Sequence, residues 1–216
     1  MQQGALAPYE AALAVAEPLS LVSSDGHVIP LDIARYVGAA TAADMTVLDR
    51  CVAPVLDVGC GPGRIVHALA ASGRPALGVD IAHTAVAMAT QRGGVALTRS
   101  VFEHLPGQGR WPTILVLDGN VGIGGDVCAL LLRLRHAMSP SGVLIVEAST
   151  QRRGVDDVLE VRFHDGAEPL GPAFLWAVVS VDTLGAHCAR AGLRVADQWS
   201  AEDRTFLRLV RSTATR

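Results

Sequence analysis

The spacing of apolar residues changes repeatedly along the chain. From residue 54 onward, short unbroken apolar runs alternate with stretches whose apolar residues recur every three or four positions. Residues 54–58 form a strand-like run that stops at Gly59. Residues 63–72 follow with Ile65, Val66, Leu69 and Ala70 at helical spacing, closed by Gly73. Residues 75–79, 95–99, 113–117 and 143–147 read as further strands. Residues 82–91 read as a helix, and so do 126–138, capped by Asp126 and ended by Pro140 and Gly142. This β-α-β-α order predicts a parallel sheet with helices on both faces.

The tail breaks the pattern. Ser180 can cap a helix running to about Ala191, and residues 193–199 and 204–211 are strands joined by only four residues. So short a link forces an antiparallel pair, because a parallel pair needs a long crossover. Residues 158–163 suggest an extra strand over an edge or face. Before residue 54 there is an Ala-rich helix (8–17), then a small hairpin with arms 19–22 and 27–29 around Asp25-Gly26, with Pro30 closing its second arm. Helical patterns follow at 31–36 and 41–50. The expected organisation is an N-terminal helical cap or lid over residues 1–53 and one main domain over 54–216.

Composition narrows the chemistry. All 18 Lys+Arg residues among the 216 are arginine. Without lysine the chain cannot be a P-loop NTPase, a protein kinase, a class A β-lactamase or a Schiff-base enzyme. The four cysteines, Cys51, Cys60, Cys128 and Cys188, form no CxxC pair and read as reduced thiols of a cytoplasmic protein. The start lacks the basic region of a signal peptide, and no apolar run approaches the ~18 residues of a membrane span. A net charge of −3, with only Arg133/Arg135 and Arg152/Arg153 as basic pairs, argues against a nucleic-acid partner. The seven histidines show no metal-binding spacing, so no metal is expected.

The most informative stretch is Val55-Leu56-Asp57-Val58-Gly59-Cys60-Gly61-Pro62-Gly63-Arg64, where a strand turns into a helix. Glycines there allow a tight turn and close backbone approach to a ligand. A dinucleotide fingerprint reads GxGxxG. Here Arg64 stands at its third glycine position, and the glycines fall at 59, 61 and 63. Asp57, on the strand end, would repel a pyrophosphate and attract a ligand carrying an ammonium and a sulfonium. Both features favour S-adenosylmethionine over a nicotinamide cofactor. Asp80 ends the second strand, where a carboxylate can accept hydrogen bonds from both ribose hydroxyls and disfavours a 2′-phosphate.

With LDVGCGPG at 56–63, GVD at 78–80, the 101–106 segment and LDGN at 117–120, the chain resembles the class I S-adenosylmethionine-dependent methyltransferases over about residues 54–211. The resemblance implies a Rossmann-like, doubly wound α/β sheet of order 3-2-1-4-5-7-6 with strand 7 antiparallel, in agreement with the reading of the tail. It implies that Gly59, Cys60, Gly61 and Gly63 line the methionine part and ribose, with Asp57 near the methionine amino group. It puts Asp80 on the ribose, Ile81 on the adenine face, and Val101 and Phe102 over the adenine. Many members carry an aspartate for the adenine amino group in that last loop. This chain offers Ser100 and then Glu103.

The loop Asp118-Gly119-Asn120-Val121-Gly122-Ile123-Gly124-Gly125-Asp126 lies where ligands bind in open α/β sheets. Asp118 and Asn120 are candidates to face methyl group and acceptor, and Asp118 also to touch the cofactor. The loop is not the D/N-PP-Y/F motif of amino-methylating DNA enzymes. Positioning alone can supply ~7–11 kcal/mol of the barrier to methyl transfer, and a general base a further factor of ~10²–10⁴. Candidate bases are His104, Asp118, Glu147 and His164. Arg35 and Tyr36 are candidates for a cofactor carboxylate or an acidic acceptor. The expected function is methyl transfer to a small-molecule acceptor by in-line displacement. The alternatives are a nicotinamide oxidoreductase and a non-catalytic S-adenosylmethionine-binding protein.

Overall fold

The computed structural model describes residues 3–149 and 154–212, so Arg152 and Arg153 lie outside the described residues. The N-terminal part comprises α1 (Ala7–Val15), β1 (Leu19–Ser23), β2 (Val28–Leu31), α2 (Ile33–Val37) and α3 (Ala42–Leu48). Then come β3 (Val55–Val58), α4 (Arg64–Ala71), β4 (Ala76–Asp80), α5 (His83–Gln91), β5 (Ala96–Thr98), β6 (Trp111–Val116), α6 (Val127–Ala137) and β7 (Met138–Ala148). The remainder is β8 (Asp156–His164), β9 (Pro169–Val179), α7 (Val181–Arg190), β10 (Leu193–Ala201) and β11 (Arg204–Arg211).

Seven strands form the central sheet in the order β5-β4-β3-β6-β7-β11-β10. Numbered within the sheet this is 3-2-1-4-5-7-6. Strands β3 to β7 are parallel, and β11 runs antiparallel to both β7 and β10. Local chemistry opens α6 where the sequence indicates, whereas Ser180, at the N-cap of α7, turns its hydroxyl to the Val155 carbonyl and makes no cap hydrogen bond. The Asp126 carboxylate accepts from the Ala129 N–H at 2.9 Å to open α6. Thr41 and Asp44 form a reciprocal capping box on α3. One boundary differs from expectation. Helix α6 ends at Ala137 and β7 begins at once, taking in Pro140 and Gly142. Its pairing with β6 shifts register there, between Trp111 and Thr113. A Cβ on Gly142 would fall 2.6 Å from the Trp111 carbonyl oxygen, so only glycine fits at that irregular start.

Side chains alternate between the two faces of this sheet. Leu56, Ile114, Leu144 and Leu207 pack with α6 and α7, whereas Val55, Leu115, Ile145 and Phe206 pack with α3 and α4. Two steps along the strands from Val55, Ile145 and Phe206, on the same face, stand Asp57, Glu147 and Arg204. A polar layer therefore caps the α3/α4 side of the core at the carboxyl edge of the parallel strands.

A second, four-stranded antiparallel sheet has the order β2-β1-β8-β9. This revises the picture of a helical N-terminal segment with a separate hairpin. The hairpin β1–β2 pairs with β8, Leu21 opposite Phe163, and the extra strand expected at 158–163 is one arm of a longer hairpin with β9. No helix among the described residues is long and apolar enough to cross a membrane.

Candidate active site

A cavity of about 390 Å³ opens at the carboxyl edge of the central sheet, floored by the β3–α4 and β6–α6 loops and roofed by α1 and the second sheet. The β3–α4 loop turns through Gly59 at φ +69° and Gly63 at φ +84°, a region side-chain-bearing residues avoid. Its amides are already used. Gly59 and Cys60 N–H donate to the Val79 carbonyl at 2.8 and 3.2 Å, and Gly63 N–H donates to the Cys60 carbonyl at 3.0 Å. Gly61 N–H donates to Asp80 Oδ2 at 2.9 Å. Pro62 has no N–H. A pyrophosphate would find no donor left among these residues, in contrast to a dinucleotide loop.

Asp80 sits at the end of β4 and faces the cavity, its other oxygen accepting from Ala82 N–H at 2.9 Å. Asp57 also lines the cavity, and no group among the described residues donates a hydrogen bond to its carboxylate. Burial, reinforced by the neighbouring Asp118 charge and opposed by Arg64, pushes the Asp57 carboxyl up to about 7.

Asp118 has φ +57° and its N–H donates to Glu147 Oε2 at 2.6 Å. Its carboxylate meets Arg64 Nη2 at 2.5 Å, Arg204 Nη2 at 3.2 Å and Arg35 Nη2 at 3.4 Å. Arg64 and Arg204 also both bind Asp44, which is fully buried. Arg204 grips Glu147 through Nε at 2.8 Å and Nη2 at 2.6 Å. Three carboxylates and three guanidiniums thus interlock beneath the cavity. Here an isolated charge would be prohibitive, and each is paired.

The structure brings Asp57, Gly59, Cys60, Gly61, Asp80, Ile81, Val101, Phe102, Asp118, Asn120 and Tyr36 around the one cavity. Gly63, Arg35 and Glu147 do not line it. Gly63 packs on α5, where a Cβ would fall 2.5 Å from the Ala89 Cβ. Glu147 is held by Arg204 below the floor, which leaves it unsuited to the base role its strand position suggested. Arg35 lies behind Asp118, against the Tyr36 ring at 6.0 Å. His104 and His164 also lie away from the cavity. Asn120 is a brace, its amide donating to the Gly59 carbonyl at 2.9 Å. Ser100 reaches the cavity, while Glu103 turns back to accept from Ser100 N–H at 3.3 Å.

Residues 55–142 match the family model described as a methyltransferase domain. Over that stretch the chain is similar to methyltransferase domains. No curated protein sequence matches it. Among solved structures it is similar to an S-adenosylmethionine-dependent methyltransferase from Bacteroides fragilis, in complex with S-adenosylhomocysteine. The identity is 22%, covering 99% of this chain and 98% of that one, with a TM-score of 0.79. It is also similar to CcbJ methyltransferase from Streptomyces caelestis at 13% identity, covering 78% and 88% of the two chains with a TM-score of 0.61. A 1,6-didemethyltoxoflavin-N1-methyltransferase from Burkholderia thailandensis is 15% identical, covering 98% and 80%, with a TM-score of 0.55. At these identities the likeness is one of fold.

Around this cavity several residues escape a reading by motif. Tyr9 comes from α1, its hydroxyl standing 3.3 Å from where a Cβ on Gly61 would be. Burial and the charge of Asp80 hold its phenol well above the usual range. Phe163, Phe174 and Trp176 come from the second sheet. Asp44 and Arg204 meet from opposite ends of the chain. The usable signal was scarcity: a chain with nine aromatic residues spends several of them on segments outside the main apolar pattern.

Proposed function

We propose that this protein binds S-adenosylmethionine at the glycine-loop end of the cavity and methylates a small-molecule acceptor. When bound, the cofactor supplies a sulfonium-activated methyl group, transferred by in-line displacement. The observation that carries the reading is the pair Asp57 and Asp80, two carboxylates facing the cavity beside a loop whose amides are already bonded. Asp57 offers an unpartnered buried carboxylate to an ammonium group. Each oxygen of Asp80 keeps a lone pair for a ribose hydroxyl beyond its bond to the loop. Ile81, Val101 and Phe102 would enclose the adenine. The 1,6-didemethyltoxoflavin bound to the Burkholderia thailandensis protein supports a small molecule as the acceptor class. Residues 1–53, together with β8 and β9, would act as the cap that excludes water from the transfer. The four cysteines, all free thiols, support a cytoplasmic setting.

Calorimetric titration with S-adenosylhomocysteine tests this. The wild type should bind, and Asp80→Ala should bind at least tenfold more weakly. Unchanged affinity in Asp80→Ala would remove the ribose assignment. Thermal stabilisation by NADH but not by S-adenosylhomocysteine would replace the whole reading with a nicotinamide enzyme.

A further inference from the structure

The chain has four Phe, three Trp and two Tyr, and six of these nine rings line the cavity described above: Tyr9, Tyr36, Phe102, Phe163, Phe174 and Trp176. Four of them form a continuous series. Tyr9 stacks on Phe163 with centroids 6.3 Å apart, Phe163 meets Phe174 at 5.2 Å, and Phe174 meets Trp176 edge-on at 6.4 Å. The strand register explains the alignment. Leu21 pairs with Phe163, Val161 with Phe174 and Leu159 with Trp176, so these side chains share the sheet face turned toward the cavity. Phe163 is buried, but Phe174 and Trp176 are only half-covered. Both rings keep part of their surface open to the cavity.

This wall is fixed next to the loop after β6. Ile123 bridges to Trp176, and a Cβ on Gly122 would fall 2.2 Å from the Ala177 carbonyl oxygen and 2.6 Å from the Trp176 indole nitrogen. Gly122 therefore lets β9 lie directly against the loop that carries Asp118 and Asn120. The roof elements contribute no charged side chain to the cavity lining. Their polar side-chain atoms there are the Tyr9 and Tyr36 hydroxyls and the Trp176 indole N–H; the Asp32 backbone reaches the Tyr36 hydroxyl, while the other two have no hydrogen-bond partner among the described residues. On the facing floor Asp118 is committed to Arg64 and Arg204. The other charged lining residues, Asp57, Arg64, Asp80 and Arg99, belong to the central-sheet side of the cavity, so an aliphatic ammonium or carboxylate held against Phe174 and Trp176 would lose hydration and find no counter-charge on the roof itself. A planar ring would gain offset-stacked or edge contacts and a hydroxyl partner.

We propose that the acceptor is a flat, uncharged aromatic or heteroaromatic molecule, held against Phe174 and Trp176 and hydrogen-bonded by the tyrosine hydroxyls. This rests on the methyltransferase reading for the word acceptor, while the binding claim stands on the aromatic wall alone. The test is calorimetry on the full chain saturated with S-adenosylhomocysteine. The probes are 6-hydroxyquinoline, 7-hydroxycoumarin and indole, set against their saturated ring counterparts and glycine. At least one aromatic probe should bind tenfold or more tightly than its saturated counterpart and than glycine. Trp176→Leu should weaken it tenfold or more and leave S-adenosylhomocysteine affinity within twofold. Should Trp176→Leu fail to fold, Tyr36→Phe serves, with an expected loss of threefold or more. Equal affinity for saturated rings, tighter binding of glycine, no binding of any aromatic probe, or variants that bind as well as the wild type would overturn the proposal. Failure of S-adenosylhomocysteine to bind, with aromatic selectivity retained, would overturn the cofactor reading and leave the aromatic wall standing.

Discussion

Asn120 and Gly59 are locked face to face: the Asn120 amide donates to the Gly59 carbonyl at 2.9 Å, and a Cβ on Gly59 would fall 2.4 Å from the same nitrogen. This contact ties the β6–α6 loop to the glycine loop. Gly59→Ala should cost about 1–3 kcal/mol through overpacking, with backbone strain at φ +69° in addition. Asn120→Ala should recover part of that loss. A double-mutant cycle by urea unfolding that finds the two substitutions simply additive would show that the contact is not the cause.

Arg204 joins three carboxylates. Replacing it with Met leaves Glu147 without a guanidinium and Asp44 with Arg64 alone, which should cost roughly 3–5 kcal/mol, as breaking buried ion pairs generally does. Arg204→Lys should recover less than half of this, because an ammonium cannot grip Glu147 bidentately and still reach Asp44. Chemical denaturation of the two variants gives the comparison. Equal stability of the Lys variant and wild type would mean that charge alone suffices.

Asp57 makes stability depend on pH with a definite sign. Its carboxyl is pushed up to about 7 in the folded chain, against about 3.9 when unfolded. The folded state therefore holds this proton more tightly. The contribution of Asp57 to stability is complete below about pH 4, falls as pH rises to about 7 and is flat above, a span of roughly 4 kcal/mol at most. Asp57→Asn should lose this component, so the variant minus wild-type stability difference should rise between pH 4 and 7. A difference that stays constant would contradict the raised value.

On the proposed cofactor placement, the same carboxylate would couple cofactor binding to proton release. An ammonium placed beside Asp57 would draw its pKa down. At pH 6.5 S-adenosylhomocysteine binding should then release a fraction of a proton, and affinity should rise from pH 6 to 8. Binding enthalpies in buffers of different ionisation heat would reveal it, and Asp57→Asn should abolish the buffer dependence.

The central sheet was legible because its information is local. The run at 55–58, the glycines at 59, 61 and 63, and Asp80 lie close together along the chain, and each fits one turn or one strand end. The antiparallel tail followed from the length of its four-residue link. The roof was not legible in the same way. Residues 169–179 show no alternation that separates a strand from an apolar loop, and nothing near Leu21 indicates that Phe163 is its partner. Charge pairing escaped for the same reason. Asp44 and Arg204 are 160 residues apart, and neither position is unusual by itself. Glu147 was placed correctly on its strand, but its assignment as a base overlooked the guanidinium that occupies it.

The pairing of β1 with β8 sets an order of events during synthesis. The hairpin β1–β2 leaves the ribosome before any strand of the central sheet, yet its partner is made only after β7 is complete. Pairings this distant in sequence form late, because their loop-closure entropy must be met before their contacts help. The glycine loop, Asp80 and the strands around them can therefore assemble while Phe174 and Trp176 are not yet in place. A nascent or partly unfolded chain would hold one half of the site without the other, and the hairpin would meanwhile present an unpaired edge at Leu21. Completion of the aromatic wall is thus a separate, later step from formation of the glycine-loop side of the cavity.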